Sequence, residues 1–493
     1  MPRRAKIVAT LGPASTPERV MRRLLRAGVD VVRLNLSHGS HEEHRERIRR
    51  LRKLAAEEGR HVAVLLDLMG PRFRLGVIAD GPRLLRKGQR VVLGRPGRGV
   101  DLPVDDPAFL PHVRRGERIL IDNGMVELRV TAKRRGAVEA RVVFGGRVST
   151  RKGINLPETN LPFSISRKDR ADIQFAVAEG ADYLAASYIG RGRELEALRA
   201  VARRAGQELP IVAKLERARA IEHLDEIVEA ADAVMVARGD LGVEVPLDQV
   251  PVLQKRIVLA GRRLGKPVIV ATQMLESMME QPRPTRAEAS DVANAVFDGA
   301  DALMLSGETA AGKFPVETVA TMARIIEEAE LYRWSPMGRE GWAARLSSSL
   351  AAAPLRPGQT ESVNPHRDVH YEIPDIVCGA AVEAASRLGN APVVAFSQGG
   401  FTARMIARYR PAAPILVFTN DPQVAARMQL VWGVRPRALE QEVHELSDVV
   451  RLLDRQLLAE RLVKPGQPIV ILMGEPVRER PLTNLMRVHR VRR

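Results

Sequence analysis

A single cysteine, Cys378, occurs in 493 residues, which excludes an intrachain disulfide framework and fits a reducing compartment. Aromatic residues make up only 4%, leaving few platforms on which nucleic-acid bases could stack. No apolar run reaches the roughly 18 residues a membrane helix needs, and the N-terminal MPRRAKIVATLGPAS has no apolar h-region ahead of a small-residue cleavage site. A soluble, cytoplasmic protein with no membrane partner is therefore expected. Acids are outnumbered, with 59 Asp and Glu against 77 Lys and Arg and a net charge of +18. That excess could announce a nucleic-acid binder. The basic residues, however, are spread along the chain in amphipathic patterns beside acids (MRRLLRAG, RERIRRLRK, AGRRLG). They read as a solvated basic surface suited to anionic small molecules, with no nucleic-acid partner.

What is present is a rhythm. Hydrophobic residues at 45% suffice for several cores, and the length suggests about three domains. Short β-rich runs alternate with amphipathic helical stretches: KIVATLG, VDVVRLNLSH, HVAVLLDL, ADYLAASY, PIVAKLE, DAVMVARGD, KPVIVATQ and DALMLSGE. In TPERVMRRLLRAG the spacing places Thr16 as helix cap and Pro17 at the first helical position. Eight strand-helix units predict a TIM-type (β/α)8 barrel, formed by residues 1–71 and 155–333, with its chemistry at the C-terminal strand ends. Residues 72–154 break the rhythm with period-two stretches and turn signals such as Asp122-Asn123-Gly124, and read as a small inserted β-barrel lid domain. Residues 334–493 open with a loop rich in Pro, Ser and Gly and then resume alternation, as expected of a C-terminal open-sheet α/β domain.

The predicted strand tips carry polar residues: Arg33, Asn35, Ser37 and His38; Asp67 with Arg72 and Arg74; Ser187; Lys214 and Glu216; Arg238, Gly239 and Asp240; Thr272 and Gln273; Ser306 and Glu308. Glu216 and Asp240 could present hard oxygens to Mg²⁺ or Mn²⁺, or be structural ion-paired carboxylates. Lys214 lies two residues before Glu216, so alternation puts both on one face. An ammonium there can stabilise an oxyanion or enolate. A Schiff-base lysine competes with that role, although the adjacent carboxylates favour the protonated amine. The backbone N–H groups of Gly239 to Leu241 would bind an anion if they open a helix. Arg33 and Arg74 are natural phosphate ligands.

The segments KIVATLGPAS, VVRLNLSHGSHEEH, RKGINLP, VAKLE, MVARGDLGVEVP, LTNLMRV and the long stretch from Val268 to Glu317 resemble the pyruvate kinase family, in order and across almost the whole chain. The resemblance implies a glycolytic, allosteric phosphotransferase that moves the phosphoryl group of phosphoenolpyruvate to ADP, giving pyruvate and ATP, in a homotetramer. By position it implies Lys214, Thr272 and Arg33 as catalytic residues. It implies substrate contacts from Ala237, Arg238, Gly239 and Asp240, and Mg²⁺ on Glu216 and Asp240. Nucleotide contacts would come from Asn35, His38, Arg74 and Lys152. A monovalent-cation site would comprise Asn35, Ser37, Asp67 and the residue at 68, usually threonine and here Leu68, while Arg72 stands where an acid normally follows Gly-Pro. Arg72 is therefore expected to replace potassium, unless it points to solvent. An effector loop matching FSQGGFTAR would use Ser397, Gly399, Gly400 and Thr402 for a phosphorylated ligand, with position 399 lacking its usual hydroxyl. A metal-dependent enolate-forming lyase or aldolase on the same barrel is the alternative. It would share the lysine, carboxylates and Mg²⁺ but leave the lid and third domain unexplained.

Overall fold

The computed structural model describes residues 3–70, 73–106, 109–159, 163–334, 372–439, 445–476 and 482–492. Its centre is a closed barrel of parallel strands: β1 (Lys6–Thr10), β2 (Val31–Asn35), β3 (Ala63–Asp67), β4 (Tyr183–Ala186), β5 (Ile211–Leu215), β6 (Ala233–Ala237), β7 (Val268–Ala271) and β8 (Ala302–Leu305). Each coincides with one of the apolar runs in the sequence. These runs are buried on both faces, inward against the barrel axis and outward against the helices, which is why they are continuously apolar rather than alternating. The barrel interior is filled by Val8, Val31, Leu65, Tyr183, Val212, Met235, Ile269 and Met304, among others. One outsider joins that cluster, Leu430 from the C-terminal part of the chain, buried at the same core.

Between β3 and β4 the chain builds a seven-stranded sheet and a separate two-stranded one from Phe73 to Asn155. Its own core, including Leu93, Phe109, Ile121, Leu128 and Val138, is distinct from that of the barrel. The Asp122-Asn123-Gly124 turn has φ of 56°, 56° and 83°, the left-handed conformations that Asp, Asn and Gly tolerate best. The C-terminal part is a five-stranded sheet of β9 (Val393–Phe396), β10 (Ile415–Thr419), β11 (Val434–Ala438), β12 (Pro468–Met473) and β13 (Leu485–Arg490), in the order β11-β10-β9-β12-β13 with only β13 antiparallel.

The Thr16 cap is not formed. The helix is Glu18–Ala27 with Pro17 at its cap and no side-chain capping bond. The Thr16 hydroxyl instead donates to the Gly12 carbonyl at 2.8 Å, because the tight turn after β1 brings that oxygen closer than the helix N–H groups.

The C-terminal sheet is fastened to the N-terminal end of the barrel by charge as well as by apolar packing. Lys6 donates to the Val434 carbonyl at 2.8 Å, Arg4 to the Pro411 and Ala413 carbonyls at 3.0 and 2.9 Å, and Tyr183 to the Arg427 carbonyl at 3.0 Å. Burial here has a titration consequence. Asp182, whose carboxylate accepts from Val64 N–H at 2.8 Å, is pushed up by burial from 3.8 to about 6. The unfolded chain therefore ionises this carboxyl first, and its contribution to stability declines as pH rises from about 4 to about 6. Asp182→Asn keeps an oxygen for Val64 and is expected to raise Tm at pH 8 more than at pH 4.5, measured by thermal unfolding in matched buffers. An equal shift at both pH values would contradict this.

Candidate active site

Parallel closure of the barrel places the C-terminal strand ends in a ring, and register decides which tips meet. Asn35 of β2 is level with Asp67 of β3, and Asp67 with Ala185 of β4. Lys214 near the end of β5 is level with Met235 of β6. Around this ring a charged network forms. Arg33 Nε donates to Asp67 Oδ2 at 2.7 Å, and its Nη1 to Thr10 Oγ1 at 3.1 Å. Lys214 Nζ donates to Ser187 Oγ at 2.6 Å and stands 3.5 Å from Asp67 Oδ1 and 3.2 Å from Glu216 Oε2. Ser187 Oγ in turn donates to the Leu68 carbonyl at 2.9 Å.

The electrostatics follow. Burial works against the Lys214 ammonium, but Asp67, Glu216 and Asp240 together hold it above the ordinary lysine value, so it is a fixed cation and not a Schiff-base amine at neutral pH. Burial would raise Asp67, yet Lys214 and Arg33 lower it. Glu216 goes the other way: burial and the Asp240 carboxylate push it up to about 7 against the pull of Lys214.

Glu216 Oε1 accepts from Tyr188 N–H at 2.6 Å, while Oε2 is buried without a hydrogen-bond partner. Oε2 has the Lys214 ammonium 3.2 Å away but makes no hydrogen bond, and a carboxylate oxygen so placed beside a second carboxylate is available to a hard divalent cation. The residues therefore fit Mg²⁺ or Mn²⁺. Among the described residues no group of three or more His, Cys, Asp or Glu side chains forms a metal cluster. Glu216 and Asp240 would hold the ion as a pair, with water or substrate oxygens completing its shell.

The β6 and β7 ends are locked to each other. The helix Arg238–Glu244 starts directly after β6. Gly239 N–H donates to Thr272 Oγ1 at 2.8 Å, and Thr272 Oγ1 donates to the Ala271 carbonyl at 2.6 Å. Thr272 has φ of 71° and Gln273 54°. A β-branched residue in the left-handed region is strained, and such strain is held only where the surroundings over-determine it. Arg238 supplies part of that hold: its guanidinium donates to the Thr272 carbonyl and to Asp291, both at 2.7 Å. Arg238 thus turns its charge towards the loop after β7, and Ala237 ends β6 beneath it.

Arg74 and Lys152 are not at the barrel tips. They sit in the inserted sheet, where Arg74 is level with Gly153, so the fold brings the two cations side by side. Arg74 donates to the Arg151 carbonyl at 3.3 Å, and Lys152 pairs with Asp122 at 2.8 Å. His38 lies in the turn after β2, its N–H on the Asn35 carbonyl at 3.2 Å and its carbonyl 2.7 Å from the His44 ring nitrogen.

At the expected monovalent-cation site, Asn35 Oδ1 already accepts from Ser37 N–H at 3.0 Å, and Leu68 is buried. Arg72 lies outside the described residues. Glu308 is structural, binding the Ser306 and Leu275 N–H groups at 2.7 and 3.3 Å.

In the C-terminal loop, Thr402 Oγ1 is 2.7 Å from Thr483 Oγ1, and both are buried. Gly400 has φ of 73°, and a Cβ there would lie 2.3 Å from Met428, whereas Gly399 faces open space. Ser397 is buried at the end of β9.

In the sequence Ser187 is one polar strand tip among many, and the sequence pattern carries no further signal for its role. Nothing in that pattern marks Ser187 as the hydroxyl partner of Lys214, or Tyr188 as the backbone donor to Glu216. Tyr188, with φ of 60°, carries no sequence signal for that conformation.

Comparison with known proteins adds an independent line. Residues 2–319 match the family model described as pyruvate kinase, barrel domain, and residues 375–489 the one described as pyruvate kinase, alpha/beta domain. The chain is 41% identical to a pyruvate kinase of Methylorubrum extorquens, over 99% of this chain and 97% of that protein. It is 41% identical to one of Mycobacterium tuberculosis, over 100% and 99%. A pyruvate kinase of Geobacillus stearothermophilus is 40% identical over 99% of this chain and 80% of its own length.

Proposed function

The chain belongs to the pyruvate kinase family, and on that premise we propose that it transfers the phosphoryl group of phosphoenolpyruvate to ADP in a Mg²⁺-dependent reaction, releasing pyruvate and ATP. The observation that carries this reading is the Lys214 ammonium held between Asp67 and Glu216, with one Glu216 oxygen buried and lacking a hydrogen bond. A fixed cation next to a site for a hard divalent ion suits chemistry in which charge moves from a phosphoryl group onto an enolate. The lyase alternative shares these residues but not the family.

In this reading the bound Mg²⁺, on Glu216 and Asp240, supplies neutralisation of phosphoryl charge. Lys214 stabilises the transferring group and then the enolate oxygen. Arg33, kept in place by Asp67 and Thr10, contacts the phosphoryl. The Ala237–Asp240 backbone receives the substrate carboxylate, Arg238 bracing the loop opposite it. Thr272 contacts the substrate on the side from which the enolate is protonated. Arg74 and Lys152 in the inserted sheet, together with His38 and Asn35, take the nucleotide phosphates, so that lid closure delivers charge and excludes water at once. The test is pyruvate formation from phosphoenolpyruvate and ADP with Mg²⁺. No product with either Mg²⁺ or Mn²⁺ would reject the proposal.

The same proposal extends to cations and assembly. The Leu68 side chain brings no oxygen to the monovalent-cation site, its carbonyl already accepts from Ser187, and Asn35 Oδ1 is engaged by Ser37. Arg72 then supplies the positive charge, and K⁺ is not required. Activity is expected to be equal in potassium and in tetramethylammonium salts, while Arg72→Glu should lose at least about tenfold in tetramethylammonium and recover in potassium. A wild-type enzyme active only with potassium would sink this part. The enzyme is further proposed to work in the cytoplasm as a homotetramer, to be checked by light scattering. Its phosphorylated effector would bind at Ser397, Gly399, Gly400 and Thr402, where Gly399 offers open backbone and Thr402 must first part from Thr483.

A further inference from the structure

The barrel and the C-terminal sheet meet at a place where positive charge is concentrated and its donors are not all used. Arg262, Arg408 and Arg410 are 6%, 8% and 2% exposed. With Lys266, Arg404 and Asp301 they line a cavity of about 10 Å³, the space of one water-sized body. Arg262 and Lys266 come from the barrel side, at the end of the helix Val250–Arg263 and just beyond it, and Asp301 immediately precedes β8. Arg404, Arg408 and Arg410 come from the helix Phe401–Ala407 and the turn after it.

The internal partners satisfy part of this cluster. Asp301 Oδ2 accepts from Arg410 Nη2 at 2.9 Å and from Val268 N–H at 3.0 Å, and Oδ1 accepts from Trp432 N–H at 3.2 Å, so its capacity is largely spent. Arg410 also donates to the Gly299 and Ala407 carbonyls at 2.8 and 2.6 Å. Arg408 Nη2 lies 3.2 Å from Asp375, but Arg408 Nε and Nη1 and Arg410 Nε are buried with no hydrogen-bond partner. Burial and the neighbouring Arg410 and Arg408 charges push Arg262 down to about 9 against the pull of Asp301, while its Nη2 donates to the Arg408 carbonyl at 3.5 Å. Buried guanidinium donors left unmet are costly, and like charges drawn together out of water add to the cost. One small anion would remove both penalties.

We propose that this cavity is a binding site for a chloride-sized inorganic anion, held by Arg408 and Arg410 with Arg262 adjacent, which joins the C-terminal sheet to the barrel. The size of the cavity selects against phosphate and sulfate, whose oxygens would need several times the space. No residue of the proposed catalytic network lines the cavity, and the effector loop reaches it only through Arg404, the last residue of FSQGGFTAR, so the failure of this site would leave the proposed phosphoryl transfer untouched.

The full-length protein is to be melted in potassium gluconate, chloride and phosphate at one ionic strength. Tm is expected to rise saturably with chloride by about 2 °C, in line with ligand linkage for a chain of this size, and not with gluconate or phosphate. Arg408→Gln should abolish the chloride-specific rise, and crystals grown in bromide should show anomalous scattering inside the cavity. Three results would overturn the proposal: no anion-specific rise, a rise that persists in the variant, or a response to phosphate alone. If the variant does not fold, the bromide experiment on the unsubstituted protein decides, and scattering confined to other positions, with water in the cavity, refutes it.

Discussion

In the Lys214→Met variant, kcat for pyruvate formation is expected to fall by about 10³-fold, or about 4 kcal/mol, with KM for phosphoenolpyruvate changed only a few-fold. Methionine keeps the length and apolar stem of lysine and removes only the charge and its donors. Lys214 is buried between Asp67 and Glu216 and hydrogen-bonded to Ser187. The charge is thus fixed before substrate arrives and needs no reorganisation when charge develops on the enolate oxygen. An interaction strongest in the transition state appears in kcat rather than in KM. Lys214→Arg is not expected to rescue, because the planar guanidinium cannot occupy a compact ammonium's place 2.6 Å from Ser187. A methionine variant that is folded and within tenfold of wild type would show that the ammonium is structural.

The second large effect concerns the divalent cation. Glu216→Gln is expected to weaken Mn²⁺ binding by about 10²-fold or more, since even groups that merely orient a metal ligand cost 10–100-fold. Binding is to be measured by titration calorimetry without substrate, so that the result does not depend on turnover. Glutamine can still accept from Tyr188 N–H through Oε1, the bond that the glutamate makes at 2.6 Å. Metal-free Glu216→Gln should unfold at a temperature close to that of metal-free wild type, because relief of a carboxylate disfavoured by burial and by Asp240 is offset by loss of the ion pair with Lys214. Unchanged Mn²⁺ affinity would remove Glu216 from the metal site. A large loss of stability would mean that its pairing with Lys214 is a structural necessity.

Much of this molecule was legible before any coordinates. The eight barrel strands follow from apolar runs of the right length punctuated by turn residues, because a parallel strand buried on both faces has no polar positions to spare. The pairing of Lys214 with Glu216 follows from strand alternation, and the Asp122-Asn123-Gly124 turn from the residues that tolerate positive φ. Local pattern failed where a nearby partner outcompeted the predicted one, as when the Thr16 hydroxyl turned to the Gly12 carbonyl instead of capping a helix.

Only the tertiary structure decided the rest. Ser187 meets Lys214, and Thr10 meets Arg33, because closure in one register brings their strand ends together. The left-handed backbone of Thr272 is held by Arg238 and Gly239 from the neighbouring strand end. Leu430 closes the barrel floor, and Arg262, Arg408 and Arg410 converge from segments about 150 residues apart. No local periodicity encodes such meetings. They are set by which buried surfaces must face each other once every strand has been paired, and that is a property of the closed fold rather than of any stretch of the chain.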